Sequence, residues 1–353
     1  MRNKLLWGTS ALAVAAVMGV GDEARAQFTV TVGGYSEVQW GYVDSDRNLA
    51  VDNDFRNDTE IQVTARAKAD NGLTYGVIAQ IEFTGAAGTG FDETRLFVAG
   101  SWGEIQLGDD DGASDVLAVF APTVGIGQID GAAGDYSTFG NFAQVKAIDS
   151  SDATKISYFT PSFAGFQAGV SYAAQNAGGD QSLTAGGVPT GYENFVEAGA
   201  NYRTEFAGFG ILIGGGLSWA EGNNTGVGAT LVTRDDILTW QVGAQASYAG
   251  FTVGGGWVEG DDTVVSTLGG VNRSFDRAWN VGASYAQGPY AVAISYNDVD
   301  YNTADASLLG VGFQYTIAPG LLLRGDYYYV DAELTGAADV EENIFVIGAR
   351  VNF

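Results

Sequence analysis

The side chains most able to do chemistry are carboxylates crowded into one segment. Asp109, Asp110, Asp111, Asp115, Asp130, Asp135, Asp149 and Asp152 fall between positions 109 and 152, with Lys146 as the one base among them. The run Asp109-Asp110-Asp111-Gly112 offers the hard oxygen ligands that Ca²⁺ takes, and Asp44, Asp46, Asp52 and Asp54 make a second acidic run. Neither carries the full twelve-residue calcium-loop pattern, and acidic loops are commonly just solvated. Ca²⁺ at Asp109, Asp110 and Asp111 is therefore one expectation and an electrostatic screen for ions is the other; no further cofactor is expected.

The chain has no His and no Cys. That removes the commonest general base and transition-metal ligand, and with them a catalytic triad, a zinc centre and any disulfide framework. Gly125-Ile126-Gly127 lacks the strand–turn–helix setting of a nucleotide site. Acids that could pair as in a glycosidase are too numerous and too loop-bound to single out. No enzyme is expected.

The elements that hold these residues begin after a leader. Arg2 and Lys4 precede an apolar stretch from Leu5 to Val20, and Ala24-Arg25-Ala26 is a small-x-small cleavage pattern. Residues 1–26 read as a signal peptide and 27–353 as the mature domain. The leader takes three of the 16 basic and two of the 42 acidic residues, leaving a net charge of −27 that repels nucleic acid.

From position 27 onward polarity alternates residue by residue. Ile61, Val63, Ala65 and Ala67 share one face, and Glu60, Gln62, Thr64, Arg66 and Lys68 share the other. Asp70-Asn71-Gly72 then makes a tight turn and the alternation returns. Sixteen such strands are expected, at about 27–43, 57–69, 73–84, 94–101, 104–109, 153–160, 165–174, 193–204, 209–220, 238–248, 251–259, 277–287, 289–300, 307–317, 320–331 and 343–353. Short turns alternate with long polar connections, the longest at about 110–152. After the leader no apolar run reaches the length of about 20 residues that a membrane helix needs. A closed barrel is then the way for such a chain to span a membrane, because it pairs every strand edge in lipid.

The apolar sets support that reading. Trp240-Val242-Ala244-Ala246-Tyr248 and Leu309-Val311-Phe313-Tyr315 contain no charge, and aromatics recur near strand ends, as interfacial girdles do. Outward-parity charges at Arg277, Asp298 and Asp331 lie at loop ends. A soluble β-sandwich also alternates, but its outer face would be charged. Here the polar face is mostly Gly, Ser, Thr, Gln and Asn, which suits a wet lumen.

The mature chain resembles the trimeric general-diffusion porins of Gram-negative outer membranes. The resemblance is carried by Ala69-Asp-Asn-Gly-Leu-Thr-Tyr-Gly76, Arg95-Leu-Phe-Val-Ala-Gly100, Ile105-Gln-Leu-Gly108, Ile156-Ser-Tyr-Phe-Thr-Pro-Ser-Phe-Ala-Gly-Phe166 and the terminal Arg350-Val-Asn-Phe353. It implies an all-β, 16-stranded antiparallel transmembrane β-barrel, assembled as a homotrimer among outer-membrane lipid and lipopolysaccharide, with its third surface loop folded into the pore. It also implies a constriction where the loop acids, Asp109, Asp110, Asp111, Asp115, Asp130 and Asp135, face bases on the wall. Arg95 and Arg66 are the leading candidates for those bases, with Lys68 beside them. Ser157 stands where related sequences often carry another base. Such opposed arcs set up a transverse field that orients dipolar solutes and disfavours apolar ones. The expected activity is passive diffusion of small hydrophilic solutes and ions, with cations preferred. The alternative is a substrate-specific outer-membrane channel, which would show an aromatic slide or an ordered series of binding groups.

Overall fold

The computed structural model describes residues 27–353 except positions 48, 50, 85–87, 128–132, 138–144, 176–191, 223–234, 262–264, 269–270 and 337. The signal-peptide expectation and Asp130 lie outside the described residues.

Alternation of polarity is realised as antiparallel strand throughout. The strands are β1 (Thr29–Ser45), β2 (Asn53–Lys68), β3 (Thr74–Thr84), β4 (Gly88–Gly100), β5 (Gly103–Asp109) and β6 (Thr154–Phe159). They continue as β7 (Phe166–Gln175), β8 (Tyr192–Phe206), β9 (Phe209–Gly222), β10 (Ile237–Tyr248), β11 (Phe251–Gly260) and β12 (Val265–Leu268). The last are β13 (Val271–Gln287), β14 (Tyr290–Tyr301), β15 (Ala304–Ala318), β16 (Leu321–Leu334) and β17 (Val340–Asn352). Two single-turn helices, α1 (Ala113–Val116) and α2 (Ala133–Tyr136), lie in the connection between β5 and β6.

Each barrel strand pairs with its sequence neighbour, and β17 pairs with β1 from Tyr35↔Asn352 to Ser45↔Glu342. β12 stands outside this ring: it pairs with the start of β13, while β11 pairs directly with the rest of β13. The molecule is thus a closed 16-strand antiparallel barrel with a small hairpin on one surface connection. The sequence reading left 260–276 as an irregular polar loop. The ladder instead runs on past Arg277, where Phe275 pairs with Tyr301 of β14 beyond a register shift.

Five of the seven turns at one rim are two residues long, the exceptions being 69–73 and 160–165. At Ala207-Gly208 and Ala249-Gly250 both central residues have positive φ (51°, 84° and 50°, 90°), the turn geometry that matches strand twist. Beside them ring pairs Phe209–Tyr248, Phe251–Tyr285 and Tyr290–Tyr315 pack with centroids 4.2, 4.3 and 4.9 Å apart. These form an aromatic belt at the turn end, where amphipathic rings favour a water–lipid boundary.

The two strand faces differ as the alternation predicts. Val242, Tyr248, Val253, Val292, Val311 and Val351 are exposed on the outer face, and Trp240 is 39 % exposed, so the tryptophan stripe stays out of any core. The inner face departs from the expected all-polar lumen. Toward the long-loop end of β10–β17, inner positions Val258, Val299, Leu308, Tyr328, Val330 and Ile344 are apolar and wholly buried. Phe120, Ala121, Ile126, Val145 and Ile148 of the β5–β6 connection pack against this patch. Apolar residues on the inward parity are stable here because other side chains, rather than water, cover them.

Candidate functional site

The site is built where β4, β5 and β6 meet the two ends of the β5–β6 connection. Gly108 ends the inward row of β5, and the chain turns so that Asp110 faces Arg95 on neighbouring β4. Arg95 bridges Asp110 at 2.8 Å and Glu93 at 2.9 Å, with its side chain only 16 % exposed. A guanidinium held between two carboxylates in a partly dry setting is a strong, directional pairing. Lys155, buried on β6, donates to the backbone oxygens of Asp110 and Ser151, tying the start of the connection to its end.

The other predicted acids take separate places. Asp109 accepts from Thr154, Asp115 pairs with Lys146 at 2.9 Å, and Asp135 pairs with Arg56 of β2. Asp111 instead joins Glu93 and Asp152, whose carboxylate oxygens lie within 4.8 Å of one another. That trio, rather than the run Asp109–Asp111, is the described group whose spacing could hold a hard divalent ion. Arg66 and Lys68 are exposed near the turn rim, and Arg66 lies 5.2 Å from the Phe97 ring centroid. The structure therefore brings Arg95, Asp110 and Asp111 together, keeps Asp115 near enough to Asp111 to act on its charge, and sets Arg66, Lys68 and Asp135 apart from them.

Burial raises the carboxyl pKa values along the connection. Asp149 is pushed up to about 7, first by burial and then by the nearby charges of Glu197 and Asp115. Asp111 is pushed up to about 6, by burial and then by Asp115, with Lys146 pulling the other way. Asp110 is raised by burial, against the pull of Arg95. A cavity of about 540 Å³ opens beneath this cluster, lined by Glu93, Arg95, Glu104, Gln106, Asp110 and Asp111 among others.

Residues that the sequence did not single out fix the rest of the connection. Ser171 (β7) accepts from Ala113 N at 2.9 Å, Asn280 (β13) from Ala121 N at 2.7 Å, and Asp326 (β16) from Ile126 N at 2.8 Å. On the return path, Gln241 (β10) accepts from Ala147 N at 2.9 Å and Glu197 (β8) from Ser150 N at 3.0 Å. Ser137 donates to Glu342 (β17) at 2.6 Å. Glu197 and Glu342 are wholly buried, and a buried carboxylate at mid-strand is costly without donors. That cost was a readable signal: a lone acid on the inward parity of a long strand requires a partner from elsewhere. Arg324 and Arg350 both pair with Glu37 of β1, which is 1 % exposed.

Comparison with known proteins agrees with this architecture. The sequence profile described as "Gram-negative porin" matches residues 8–335. Among solved structures, a mutant of the Rhodopseudomonas blastica porin superposes with a TM-score of 0.63 at 19 % identity, covering 92 % of this chain and 100 % of that one. A loop-deletion mutant of OmpT, an outer membrane protein of Vibrio cholerae, superposes at 0.60 and 16 % identity, over 92 % and 99 %. An uncharacterized protein of Rickettsia bellii is 22 % identical over 308 residues, 69 % of this chain and 71 % of its own. With a family profile spanning nearly the whole chain and a ring of strands closed by β17 on β1, the chain belongs to the Gram-negative porin family, as a β-barrel channel of the outer membrane.

Proposed function

We propose that this chain is a diffusion channel whose β5–β6 connection narrows the lumen, passing small hydrophilic solutes and ions with a preference for cations. The observation that carries the reading is the chain of hydrogen bonds from that connection to inward side chains of β7, β8, β10, β13, β16 and β17. A segment so attached fills that side of the barrel and leaves the open path beside β2–β5. The charged side chains on the inward parity there include Asp54, Asp58, Glu60, Glu82, Glu93 and Glu104 against Arg56, Arg66, Lys68 and Arg95, an excess of acid. Rings of acidic side chains favour cations in a water-filled pore. Outer-loop charges contribute less, since salt screens them over about 10 Å at 0.1 M.

Reversal potentials across a planar bilayer in a KCl gradient test the selectivity. Cation preference is the expected result, and anion preference overturns it. Block by one nutrient at low concentration would favour the substrate-specific reading instead. Homotrimeric assembly is part of the proposal, supported by the small outward residues Ala65 and Ala79 on β2 and β3, which permit close approach of a second wall. Any Ca²⁺ in this lumen belongs, on this reading, with Glu93, Asp111 and Asp152.

A further inference from the structure

We propose that inward glycines on neighbouring barrel strands are positioning residues: they form a recessed seat that holds residues 113–126 flat against β8–β15 and so keep the open path on the β2–β5 side. The inference rests on the reading that the connection narrows the channel, and it names what places it. Gly199 (β8), Gly214 (β9), Gly243 (β10), Gly256 (β11), Gly282 (β13) and Gly312 (β15) follow one another around the wall. On the intervening β14 the small, buried Ser295 takes the corresponding place.

Glycine weakens a strand interior unless something must approach closely. None of these six has the positive φ that would by itself demand glycine. Each meets the connection instead. A Cβ on Gly243 would fall inside contact distance of the Val119 carbonyl oxygen, one on Gly312 against that of Val124, and one on Gly199 against that of Ala113. At Gly214 it would lie 2.6 Å from Val119 Cγ2, at Gly256 3.1 Å from Val119 O, and at Gly282 3.2 Å from Ala121 Cβ with Ile294 O of β14 nearer still, at 2.9 Å. The obstacles are mostly backbone, which cannot rotate away as a side chain can. The bonds from Ala121 N to Asn280 and from Ile126 N to Asp326 fall between these contacts and fix the segment's height on the wall. Glycine recess and polar acceptor therefore act together: one lets the backbone come close, the other registers it.

The chain's lack of cysteine makes the test clean. The Gly282-to-Ala121 Cβ separation lies a few tenths of an ångström below the usual disulfide range of about 3.5–4.5 Å. A Cβ at Gly282 needs a shift of only a few tenths of an ångström from Ile294 O and Ala121 Cβ, so the pair Ala121→Cys with Gly282→Cys is expected to cross-link with the connection still on the wall. Gly243→Ala and Gly312→Ala, each made alone, are expected to fold into the heat-resistant barrel, because the closest clash is with the connection; the wall atoms nearest the new Cβ are Gly255 O at 3.0 Å and the Asp326 side chain at 2.5 Å. Each should lower single-channel conductance by roughly a third or more, because a connection lifted off the wall intrudes on the open path, and each should cut the cross-linking yield of the cysteine pair several-fold. Unchanged conductance and yield, or failure of both alanine variants to fold, overturns the glycine seat while leaving the narrowing intact. Failure of the pair to cross-link in the native background removes the narrowing itself, and the seat with it.

Discussion

Arg95 illustrates how single residues set the charge of the path. It holds Glu93 and Asp110 together, so Arg95→Gln leaves two facing carboxylates with one positive charge fewer. A unit charge about 8 Å from an ion in water is worth about 0.5 kcal/mol, so the cation-to-anion permeability ratio should rise by about two-fold or more. Reversal potentials of the variant measure this, and a fall in the ratio contradicts the assignment. Asp111 and Asp149 give a second handle. Asp149 faces Glu197 of β8, Asp115 of α1 and Lys155 of β6, while Asp111 faces Asp110, Asp115, Lys146 and Asp152. Their pKa values of about 6 and about 7 exceed the ordinary aspartate value of about 4. Both carboxylates are therefore ionised at pH 8 and largely protonated at pH 5. Cation selectivity should fall across that window, with its midpoint between 6 and 7 on this account. A ratio constant from pH 8 to pH 5 refutes it.

At the scale of elements, burial separates the two faces of one strand. Leu308 on β15 is wholly buried in the patch under the connection, whereas Val311 on the same strand is 43 % exposed on the outer face. Leu308→Ala should cost about 2–5 kcal/mol and Val311→Ala less, seen as the denaturant midpoint of the folded barrel in detergent. Equal losses would mean that the apolar inner patch is wet. The strands themselves were legible in the sequence, since a period of two is written in consecutive residues such as Glu60 to Lys68. Their loop-end extensions were not. There both parities turn apolar, as at Tyr327-Tyr328-Tyr329-Val330, and the alternation that marks a half-wet strand fades. Of the site, Arg95 with Asp110 and Asp111 was legible through charge and spacing. Glu197, Asn280 and Asp326 were missed because their partners lie 47 to 200 positions away in the chain; Glu93 was missed although Arg95 lies two positions on, because a register shift between β3 and β4 breaks the alternation there. The runs Gly214-Gly215-Gly216 and Gly254-Gly255-Gly256 were visible as composition, but only the folded ring shows what they face.

The whole molecule is a cylinder whose inner wall is unevenly furnished. Inward charges gather on β1–β5, while β8–β15 present glycines, amides and an apolar patch beneath the connection. Such a division makes sense if the conducting space is eccentric and lies against β2–β5. The small residues on the outside of β2 and β3 should place three such walls back to back. Sedimentation equilibrium in detergent is expected to give a mass of three chains, and a purely monomeric species would contradict the trimer. The central claim is that consecutive residues of β2 look alternately into water and away from it. Single cysteines at Ile61, Gln62, Val63 and Thr64, probed in planar bilayers with a charged, membrane-impermeant thiol reagent, test this most directly. The account predicts stepwise loss of conductance for Gln62→Cys and Thr64→Cys, with no change for Ile61→Cys and Val63→Cys. Equal effects at all four positions, or effects only at the odd pair, would contradict it.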